Sequence, residues 1–467
     1  MASALAPKLA LARAVAALSR LRGGGATSAP GRFLMALDSD AIAALGARLA
    51  RGSVLVSATN GKTTTAAMAA RIFERTGFTL VHNRAGANMA GGVAAALLAA
   101  ARPHRQMAGE LGLFEIDELW LDAIASQLGP RAVLLGNLFR DQLDRYGELE
   151  TIAARWAEGL RAERLILNAD DPVVADLGRE RPDTLYFGVD DDSLTLPGMA
   201  HAADAKHCRR CGAPYVFEAI YLGHLGHYRC ASCGQQRPSP VVRATSVTLQ
   251  GVRSARFTLH SPAGAAQVQL ELPGLYNVYN ALAAAALATA LGAGLDSIVA
   301  GLAGTTAAFG RAESVTLRVP AAEAAYGVPL RRELRILLIK NPAGANEVLR
   351  TLTLEPGEHD LLCVLNDNIA DGRDVSWIWD ADFELLAGRV RRASCSGTRA
   401  AELGVRLKYA GIDEDRIAVE PDLSLALQAA ARDAPDGATL YALPTYTAML
   451  SLRELLVARG EVDSAWG

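Results

Sequence analysis

The sequence predicts an α/β fold with three parts: a central domain with a doubly wound, mostly parallel sheet, an inserted zinc ribbon, and a second α/β domain towards the C-terminus. From about Ser53, short apolar runs alternate with helix-like segments, and a second alternating series begins after about Ser314. Between them, four cysteines cluster from Cys208 to Cys233. Strands that alternate with helices form parallel sheets, which bind ligands at the carboxyl ends of their strands. We therefore expect the functional residues directly after the strands.

The composition is that of a soluble globular enzyme. The chain has 467 residues, 51% hydrophobic and 21% charged, enough for two or three domains with cores of their own. Its formal net charge of −3 offers no basic surface of the kind that binds DNA or RNA, so we expect no nucleic-acid partner. Its apolar runs are all shorter than the ~18 residues that cross a bilayer.

The N-terminal segment, residues 1–35, is predicted to be a helix followed by a linker. Leu9–Leu21 has the pattern of a basic amphipathic helix, and Gly23–Gly31 is rich in Gly, Ser and Pro. Lys8 and Arg13 interrupt the apolar run, which makes it a poor signal peptide and favours a cytoplasmic location. Two interpretations of the helix stay open: packing on its own domain, or peripheral contact with the inner face of the membrane.

Residues 36–314 are predicted to form the central domain and residues 315–467 the second one. The first strand is Ser53–Ser57, a helix follows over Thr64–Thr76, and the segment 205–236 is an insertion that interrupts the alternation. The further strand candidates are Thr79–His82, Leu111–Ile116, Ala132–Leu135, Arg164–Leu167, the stretch Val241–Leu272, Leu334–Ile339, Leu361–Asn366 and Thr439–Leu443, and an Ala-rich helix is predicted over Asn277–Leu291.

A phosphate-binding loop is predicted at Thr59–Thr65, between the first strand and its helix. A loop in this position offers backbone N–H groups and a helix N-terminus to phosphates. Lys62 would reach the outer phosphates of ATP, and the Thr63 hydroxyl would face Mg²⁺. The motif, Thr-Asn-Gly-Lys-Thr-Thr, is shorter than the standard Walker pattern, because Val56 stands where that pattern has its first glycine. A polar strand-to-helix turn without a ligand is the alternative.

Acidic residues follow two further strands of the central domain. Glu115, in the run Phe114–Glu118, is the candidate Mg²⁺ ligand, because a carboxylate at the end of a neighbouring strand supplies the oxygen that this ion prefers. The loop Asn137–Gly147 contains two acidic residues and two arginines. A purely structural cluster of ion pairs is the alternative interpretation of that loop.

The cysteine cluster predicts a structural metal site. Cys208 and Cys211 form one C-x-x-C pair, and Cys230 and Cys233 form a second one 18 residues further on. Two such knuckles suit a tetrahedral Zn²⁺ site with four thiolate ligands. Such a zinc stabilises the insertion and by itself implies neither catalysis nor DNA binding.

A further polar segment follows a strand of the second domain. It contains Asp367, Asp371 and Asp374, and it runs into Trp377 and Trp379. A solvated turn is one interpretation, whereas the two tryptophans favour a packed surface or an interface.

Five motifs, in this order, resemble the Mur ligase family of peptidoglycan synthesis. They are the phosphate loop, the loop Asn137–Gly147, Tyr276–Leu282, Gly310-Arg311-x-Glu313 and Lys340-Asn341-Pro342. The zinc ribbon and the Asp-Asn-x-Ala-Asp-Gly-Arg-Asp-x-Ser-Trp motif narrow this resemblance to one branch of the family. Members of that branch are synthetase subunits of lipid II isoglutaminyl synthase.

The resemblance implies an ATP-dependent carbon–nitrogen ligase. ATP would phosphorylate the α-carboxylate of the D-glutamate in the stem peptide of lipid II. Ammonia would then displace phosphate from the acyl phosphate and leave D-isoglutamine. Stabilising the charge on the transferred phosphoryl group is the main task of such an enzyme.

The resemblance also implies which residues bind the nucleotide and its ion. It assigns Asn60, Gly61, Lys62, Thr63 and Thr64 to the triphosphate, Thr63 and Glu115 to Mg²⁺, Asn277 and Asn280 to the adenine, Arg311 to the neighbourhood of the phosphates, and Asn88 to the nucleotide side of the site.

A glutaminase of the GatD type is the partner that the resemblance implies, in a heterodimer. Asp374 would complete a catalytic triad with the cysteine and histidine of that partner. The sequence agrees that ammonia comes from elsewhere, because a glutaminase needs a cysteine on a sharp exposed turn. Cys363 lies within an apolar strand, and Cys395 lacks a glycine-flanked elbow.

Two other functions stay open. A stand-alone ligase of the Mur or folylpolyglutamate type would join an amino acid to a carboxylate without any glutaminase. A zinc-ribbon nucleic-acid protein with an NTPase motor would need a basic face, and the ribbon shows only the scattered Arg209, Arg210 and Arg229.

Overall fold

The structure is a computed structural model. It describes residues 5–21, 27–83, 86–141, 149–198, 203–305, 311–319, 330–435 and 437–462.

A nine-stranded sheet forms the centre of the first part of the chain, in the order β11-β10-β9-β6-β5-β4-β1-β3-β2. Its strands are β1 (Ser53–Ser57), β2 (Leu80–His82), β3 (Leu111–Glu115), β4 (Ala132–Leu135), β5 (Arg164–Asn168), β6 (Leu185–Val189), β9 (Val242–Gln250), β10 (Ser254–Ser261) and β11 (Gly264–Leu270). All neighbours from β2 to β9 pair in parallel, and only β10 and β11 are antiparallel. The prediction of a mostly parallel sheet is confirmed.

Helices cover both faces of this sheet, as a doubly wound fold requires. They are α1 (Leu5–Leu21), α2 (Ala29–Leu37), α3 (Ala41–Gly46), α4 (Lys62–Arg75), α5 (Ala90–Ala100), α6 (Leu121–Leu128), α7 (Leu149–Gly159), α8 (Pro172–Asp176), α9 (Leu275–Ala290) and α10 (Leu295–Ala303). One core lies beneath α4, α9 and α10, and a second one lies beneath α1 to α3 and α5 to α8. Strands β1, β3 and β4 are therefore buried along their whole length.

The N-terminal helix α1 packs on the second of these cores. Its Leu5, Leu9 and Ala12 are buried, and Lys8 forms a 3.0 Å ion pair with Asp38 at the end of α2. The predicted linker, Gly23–Gly31, is too long at its C-terminal end, because α2 already begins at Ala29. Proline in the first turn of α2 is preorganised for a helix, so the Pro that indicated a linker instead starts an element. The remaining linker residues 22–26 lie outside the described ranges.

The predicted insertion lies between β6 and β9 of the central sheet. It contains a two-stranded antiparallel hairpin of β7 (Tyr215–Leu222) and β8 (Leu225–Cys230), with the cysteine pairs at its base.

A second sheet of six strands follows, in the order β12-β13-β17-β14-β15-β16. Its elements are β12 (Arg311–Val319), β13 (Leu330–Leu337), β14 (His359–Val364), β15 (Val390–Ser396), β16 (Ile417–Val419) and β17 (Thr439–Pro444), with α11 (Pro342–Thr353), α12 (Ala400–Tyr409), α13 (Leu423–Asp433) and α14 (Tyr446–Ala458) around them. Since β12 already contains Ser314, the second sheet begins before the expected boundary. The division into domains stays a prediction.

Within the described part of the chain, no helix combines the length and the apolar character needed to cross a membrane.

Candidate active site

The predicted phosphate loop lies between β1 and α4, at the carboxyl edge of the central sheet. Gly61 ends the loop with a φ of 88°, a conformation that other residues rarely adopt. A Cβ atom at this position would come within 2.0 Å of Asn280 Oδ1, so the close approach of α9 also requires glycine. The first N–H groups of α4 follow directly and are available to an anion.

The loop after β4 supports the phosphate loop through Asn137. The backbone N–H of Asn60 donates to Asn137 Oδ1 at 2.9 Å, and Asn137 Nδ2 donates back to the Asn60 carbonyl at 2.9 Å. The sequence indicated this loop by its acidic residues and arginines. The bonds between Asn137 and the phosphate loop become visible only in the fold. The other predicted members of the loop, residues 142–147, lie outside the described residues.

Lys62 is held inside the site by two oxygen atoms. Its Nζ donates to the Ala58 carbonyl at 2.5 Å and to Glu118 Oε2 at 2.8 Å, and only 11% of its side chain is exposed. Burial alone would lower the pKa of Lys62, but the Glu118 carboxylate outweighs it, so the net pKa is raised. Burial opposes ionisation of Glu118 as well, yet the Lys62 ammonium lowers its pKa. The lysine is thus kept charged.

The sequence did not predict Glu118 as a site residue, although it stands in the acidic run after β3. The predicted Mg²⁺ ligand, Glu115, is the buried last residue of β3. Asn83 holds its backbone, accepting from the Glu115 N–H at 2.9 Å and donating to its carbonyl at 2.8 Å. The charge of Glu115 contributes to the raised pKa of Lys62. Carboxylate and hydroxyl oxygens are ligands that Mg²⁺ prefers, so Glu115 and Thr63 stay its predicted ligands.

Helix α9 places Asn280 at the phosphate loop, and Asn277, the other predicted adenine residue, lies beside it. Asn280 Oδ1 accepts from the Thr65 hydroxyl at 3.2 Å, and Asn280 Nδ2 donates to Asn277 Oδ1 at 3.1 Å. Both asparagines are buried.

Asn88 is half-buried, and its carbonyl accepts from the Asp117 N–H at 2.9 Å, which places it beside the acidic run. Arg311 is the first residue of β12; its side chain lies outside what the structure describes.

The second domain also reaches the phosphate loop. Lys340 Nζ donates to the Thr59 carbonyl at 3.1 Å and to the buried carboxylate of Asp141. The side-chain amides of Asn341 and Asn60 pair with each other, at 3.2 Å in one direction and 3.0 Å in the other. Burial raises the pKa of Asp141, and Lys340 only partly offsets that effect. Sequence reasoning noted the Lys-Asn-Pro motif by resemblance alone, whereas the fold shows what its side chains contact.

Asp374 lies in the segment after β14 and is exposed. Its Oδ1 accepts from the Ser376 N–H at 2.8 Å, and the hydrogen bonds from Ser376 lower its pKa, so it is a carboxylate at neutral pH. The other two aspartates of this motif shape the segment. Asp371 accepts from the Thr447 N–H at 2.7 Å at the start of α14, and Asp367 pairs with Arg399 at 2.8 Å.

The four clustered cysteines meet as predicted. Their Sγ atoms all lie within 4.8 Å of one another, with Cys208 and Cys233 at 3.5 Å and Cys211 and Cys230 at 3.4 Å. Each knuckle turns at a glycine with a φ of 75°, at residues 212 and 234. Four converging thiols of this kind fit a tetrahedral metal ion.

Comparisons with known families match both parts of the chain. A family described as the Mur ligase middle domain matches residues 56–211, and one described as the MurT ligase C-terminal domain matches residues 338–449.

Two relatives share most of the chain. The lipid II isoglutaminyl synthase (glutamine-hydrolyzing) subunit MurT of Streptococcus pneumoniae is 32% identical, over 95% of this chain and 94% of that protein. The subunit of the same name from Staphylococcus aureus (strain N315) is 32% identical, over 96% of both chains.

Solved structures share the fold at lower identity. A pseudomurein peptide ligase type C from Methanothermus fervidus superposes with a TM-score of 0.64 and 24% identity, over 88% of this chain and 79% of that one. MurF ligase from Thermotoga maritima in complex with ADP gives a TM-score of 0.62 at 14% identity, over 91% and 83% of the two chains. These two likenesses concern the fold alone.

Proposed function

Because the chain belongs to the MurT family, whose members it matches along almost their entire length, we propose that it is the synthetase subunit of a lipid II isoglutaminyl synthase. ATP phosphorylates the α-carboxylate of D-glutamate in the stem peptide of lipid II. Ammonia then attacks the acyl carbon and phosphate leaves, which gives D-isoglutamine. The observation that carries the proposal is the pairing of a Mur-type phosphate loop with a MurT-type C-terminal domain in one chain.

The described residues supply the parts that this chemistry needs. The triphosphate lies along Asn60–Thr64, where Lys62 is already charged and the backbone N–H groups of α4 are available. Thr63 and Glu115 would hold Mg²⁺, which neutralises charge on the transferred phosphoryl group. Asn280 faces the loop from α9 beside Asn277, and these two residues would contact the adenine. Asn88 and Arg311 would complete the nucleotide side of the site. The buried setting strengthens each of these electrostatic contacts relative to water.

Ammonia comes from a partner glutaminase of the GatD type, in a heterodimer with this chain. Support comes from Asp374, an exposed carboxylate whose Oδ1 is oriented by Ser376. An exposed aspartate with a fixed orientation can position a histidine that another chain provides. Cys363 and Cys395 of this chain are both buried, and burial raises the pKa of both thiols, so neither is a nucleophile for glutamine.

The ion in the cysteine cluster is Zn²⁺ in this proposal. Four cysteine ligands and tetrahedral geometry are typical of structural zinc. The ion would stabilise the hairpin of β7 and β8, which is too small to have a large core of its own.

Helix α1 provides a peripheral contact with the inner face of the membrane, where the lipid-linked substrate lies. Its buried side faces α2 and α5, but Leu11 and Leu18 are 55% exposed and Leu21 is 84% exposed. The helix contains basic residues and no acidic one, which suits an anionic surface. We expect cosedimentation of the complex with anionic lipid vesicles, and a Leu18→Glu variant, which places a negative charge on the exposed apolar side of the helix, should lose it. Equal binding of both proteins would refute this contact.

Reconstitution tests the proposed function. The chain, a GatD-type glutaminase, lipid II, ATP and glutamine are combined, and the mass of the product shows whether a carboxylate has become an amide. Amidation that needs both ATP and the glutaminase supports the proposal. Addition of a free amino acid without any glutaminase would instead support a stand-alone Mur or folylpolyglutamate-type ligase.

A further inference from the structure

The inserted hairpin contacts the active-site loop at its tip. His224, in the turn between β7 and β8, is completely buried, and its ring lies 4.7 Å from the ring of Phe139. The Nε2 atom of His224 lies 3.4 Å from Asp171 Oδ2. Burial would lower the pKa of His224, but the carboxylates of Asp171 and Asp204 raise it more, so the ring favours its charged form.

Asp204, directly before the insertion 205–236, also contacts the same loop. Asp204, four residues before the first cysteine, accepts from the Arg140 backbone N–H at 3.0 Å through Oδ2. Its Oδ1 atom also accepts from Arg140 Nε. The Asp204 side chain is only 5% exposed, so its charge-assisted bonds to Arg140 are largely shielded from water.

Asp171 contacts both His224 and the backbone of the same loop. Its Oδ2 atom, which faces His224, also accepts from the Leu138 N–H at 2.9 Å, and its Oδ1 atom caps α8. Three neighbouring residues of the loop are therefore contacted in turn. The Leu138 N–H donates to Asp171, which pairs with the insertion, the Phe139 ring packs on His224 of the insertion, and the Arg140 N–H donates to Asp204 directly before it.

Residues 137 and 139 in turn form hydrogen bonds with the phosphate loop. Besides the two bonds between Asn137 and Asn60, the Thr59 N–H donates to the Asn137 carbonyl at 3.0 Å. The Phe139 N–H donates to Thr59 Oγ1 at 3.1 Å, and that hydroxyl is 3.3 Å from the Phe139 carbonyl. Residues 137–139 thus fix the backbone that binds phosphate, and the insertion fixes residues 138–140.

We propose that His224 and Asp204 are positioning residues for ATP, through which the ribbon insertion holds residues 137–140 against the phosphate loop. This inference rests on the proposed function only in taking ATP as the ligand of that loop. It gives the insertion a role in the reaction beyond stabilising itself. In this proposal neither residue contacts the nucleotide. Each acts on ATP binding through the backbone of residues 137–140, which is bonded to the phosphate loop.

The test measures ATP binding to the intact complex by calorimetry, with zinc content and thermal unfolding as companion readouts. We expect His224→Ala and Asp204→Asn each to weaken ATP binding on the order of tenfold, because small displacements of positioning groups have large effects on a site. Zinc content should stay unchanged. The control is Glu218→Gln, which breaks the exposed 3.1 Å pair with Arg229 on the outer part of the same hairpin and should leave ATP binding unaltered.

A double-substitution cycle identifies the route. Asn137→Ala removes the two side-chain bonds to Asn60, so the losses of ATP affinity from His224→Ala and Asn137→Ala should be less than additive in the double variant. Additive losses would overturn the proposed route. Unchanged ATP affinity in His224→Ala and Asp204→Asn, with only a lower melting temperature, would overturn the proposal. Because the titration requires no amidation, it is independent of whether lipid II is the substrate.

Discussion

Lys62 and Glu118 are opposite charges almost removed from water, with 11% and 4% of their side chains exposed. Burial disfavours the charged form of each side chain, but the opposite charge of its partner outweighs this cost. The pKa of Lys62 is therefore raised and the pKa of Glu118 is lowered. The stability that Glu118 contributes is therefore present above its ordinary pKa of 4.5 and is lost as the pH falls through the lowered value. The same pairing keeps Lys62 protonated when ATP arrives.

Replacement of Lys62 separates catalysis from stability. Lys62→Ala should abolish ATP-dependent amidation and, by leaving Glu118 buried without its partner, cost about 3–5 kcal/mol of stability. The double variant Lys62→Ala/Glu118→Gln should recover most of the stability and none of the activity. Urea unfolding and single-turnover assays measure the two effects. Retained turnover in either variant would refute the phosphate-loop assignment.

Asp374→Asn should impair glutamine-driven amidation by roughly 10³-fold or more, as comparable changes do in catalytic triads. Asparagine can still accept from the Ser376 N–H, so the local turn is kept. Amidation driven by free ammonium serves as the internal control and should be nearly unaffected. Equal loss with both nitrogen sources would place Asp374 outside the glutaminase site.

At the scale of elements, the cysteine knuckles depend on short backbone turns. The Gly212 N–H donates to the Cys208 carbonyl at 2.8 Å, and the Gly234 N–H donates to the Cys230 carbonyl at 3.1 Å. Glycine accepts the positive φ that each turn needs. The hairpin of β7 and β8 brings the two knuckles together, so local turns and strand pairing jointly build the site.

Metal analysis of the purified protein should find about one zinc per chain. Cys208→Ser should lose most of this zinc and unfold at lower temperature, because metal binding and folding of the insertion are coupled. Cys395→Ala, outside the cluster, should keep the zinc. A Cys208→Ser protein that folds normally with its zinc content unchanged would contradict the ribbon assignment.

At the scale of the whole molecule, the two domains meet at the phosphate loop. Asn60 and Asn341 are 281 residues apart in sequence, yet their amides pair in both directions. Lys340 adds a contact to the Thr59 carbonyl from the same side. We therefore expect the position of the second domain to influence the backbone that is predicted to bind phosphate.

Asn341→Ala tests this coupling. Asn341 also caps α11 by accepting from the Gly344 N–H at 2.9 Å, so its loss should cost about 1 kcal/mol of stability. Asp422→Ala is the matched control, because it removes a cap from α13 without touching the interface. Both variants should be destabilised similarly in thermal unfolding, but only Asn341→Ala should raise the KM for ATP. An equal KM in the two variants would show that the interdomain contact does not influence the nucleotide site.

Features that depend on neighbouring residues in the chain can be predicted from the amino-acid sequence alone. The strands β1 and β4 lie at their predicted bounds, and the cysteine pairs meet as their spacing indicated. These features follow from apolar periodicity, glycine turns and the short reach of C-x-x-C knuckles. The domain division and the roles of the individual site residues, among them Asp374, remain predictions.

The contacts between distant side chains of the site become visible only in the fold. Glu118 pairs with Lys62, Asn137 bonds to Asn60, and the buried His224 of the insertion packs against Phe139 of the same loop. No local pattern indicates these pairings, because each joins residues from separate strands or domains. Their partners become defined only when the parallel strands align their carboxyl ends at one edge of the sheet.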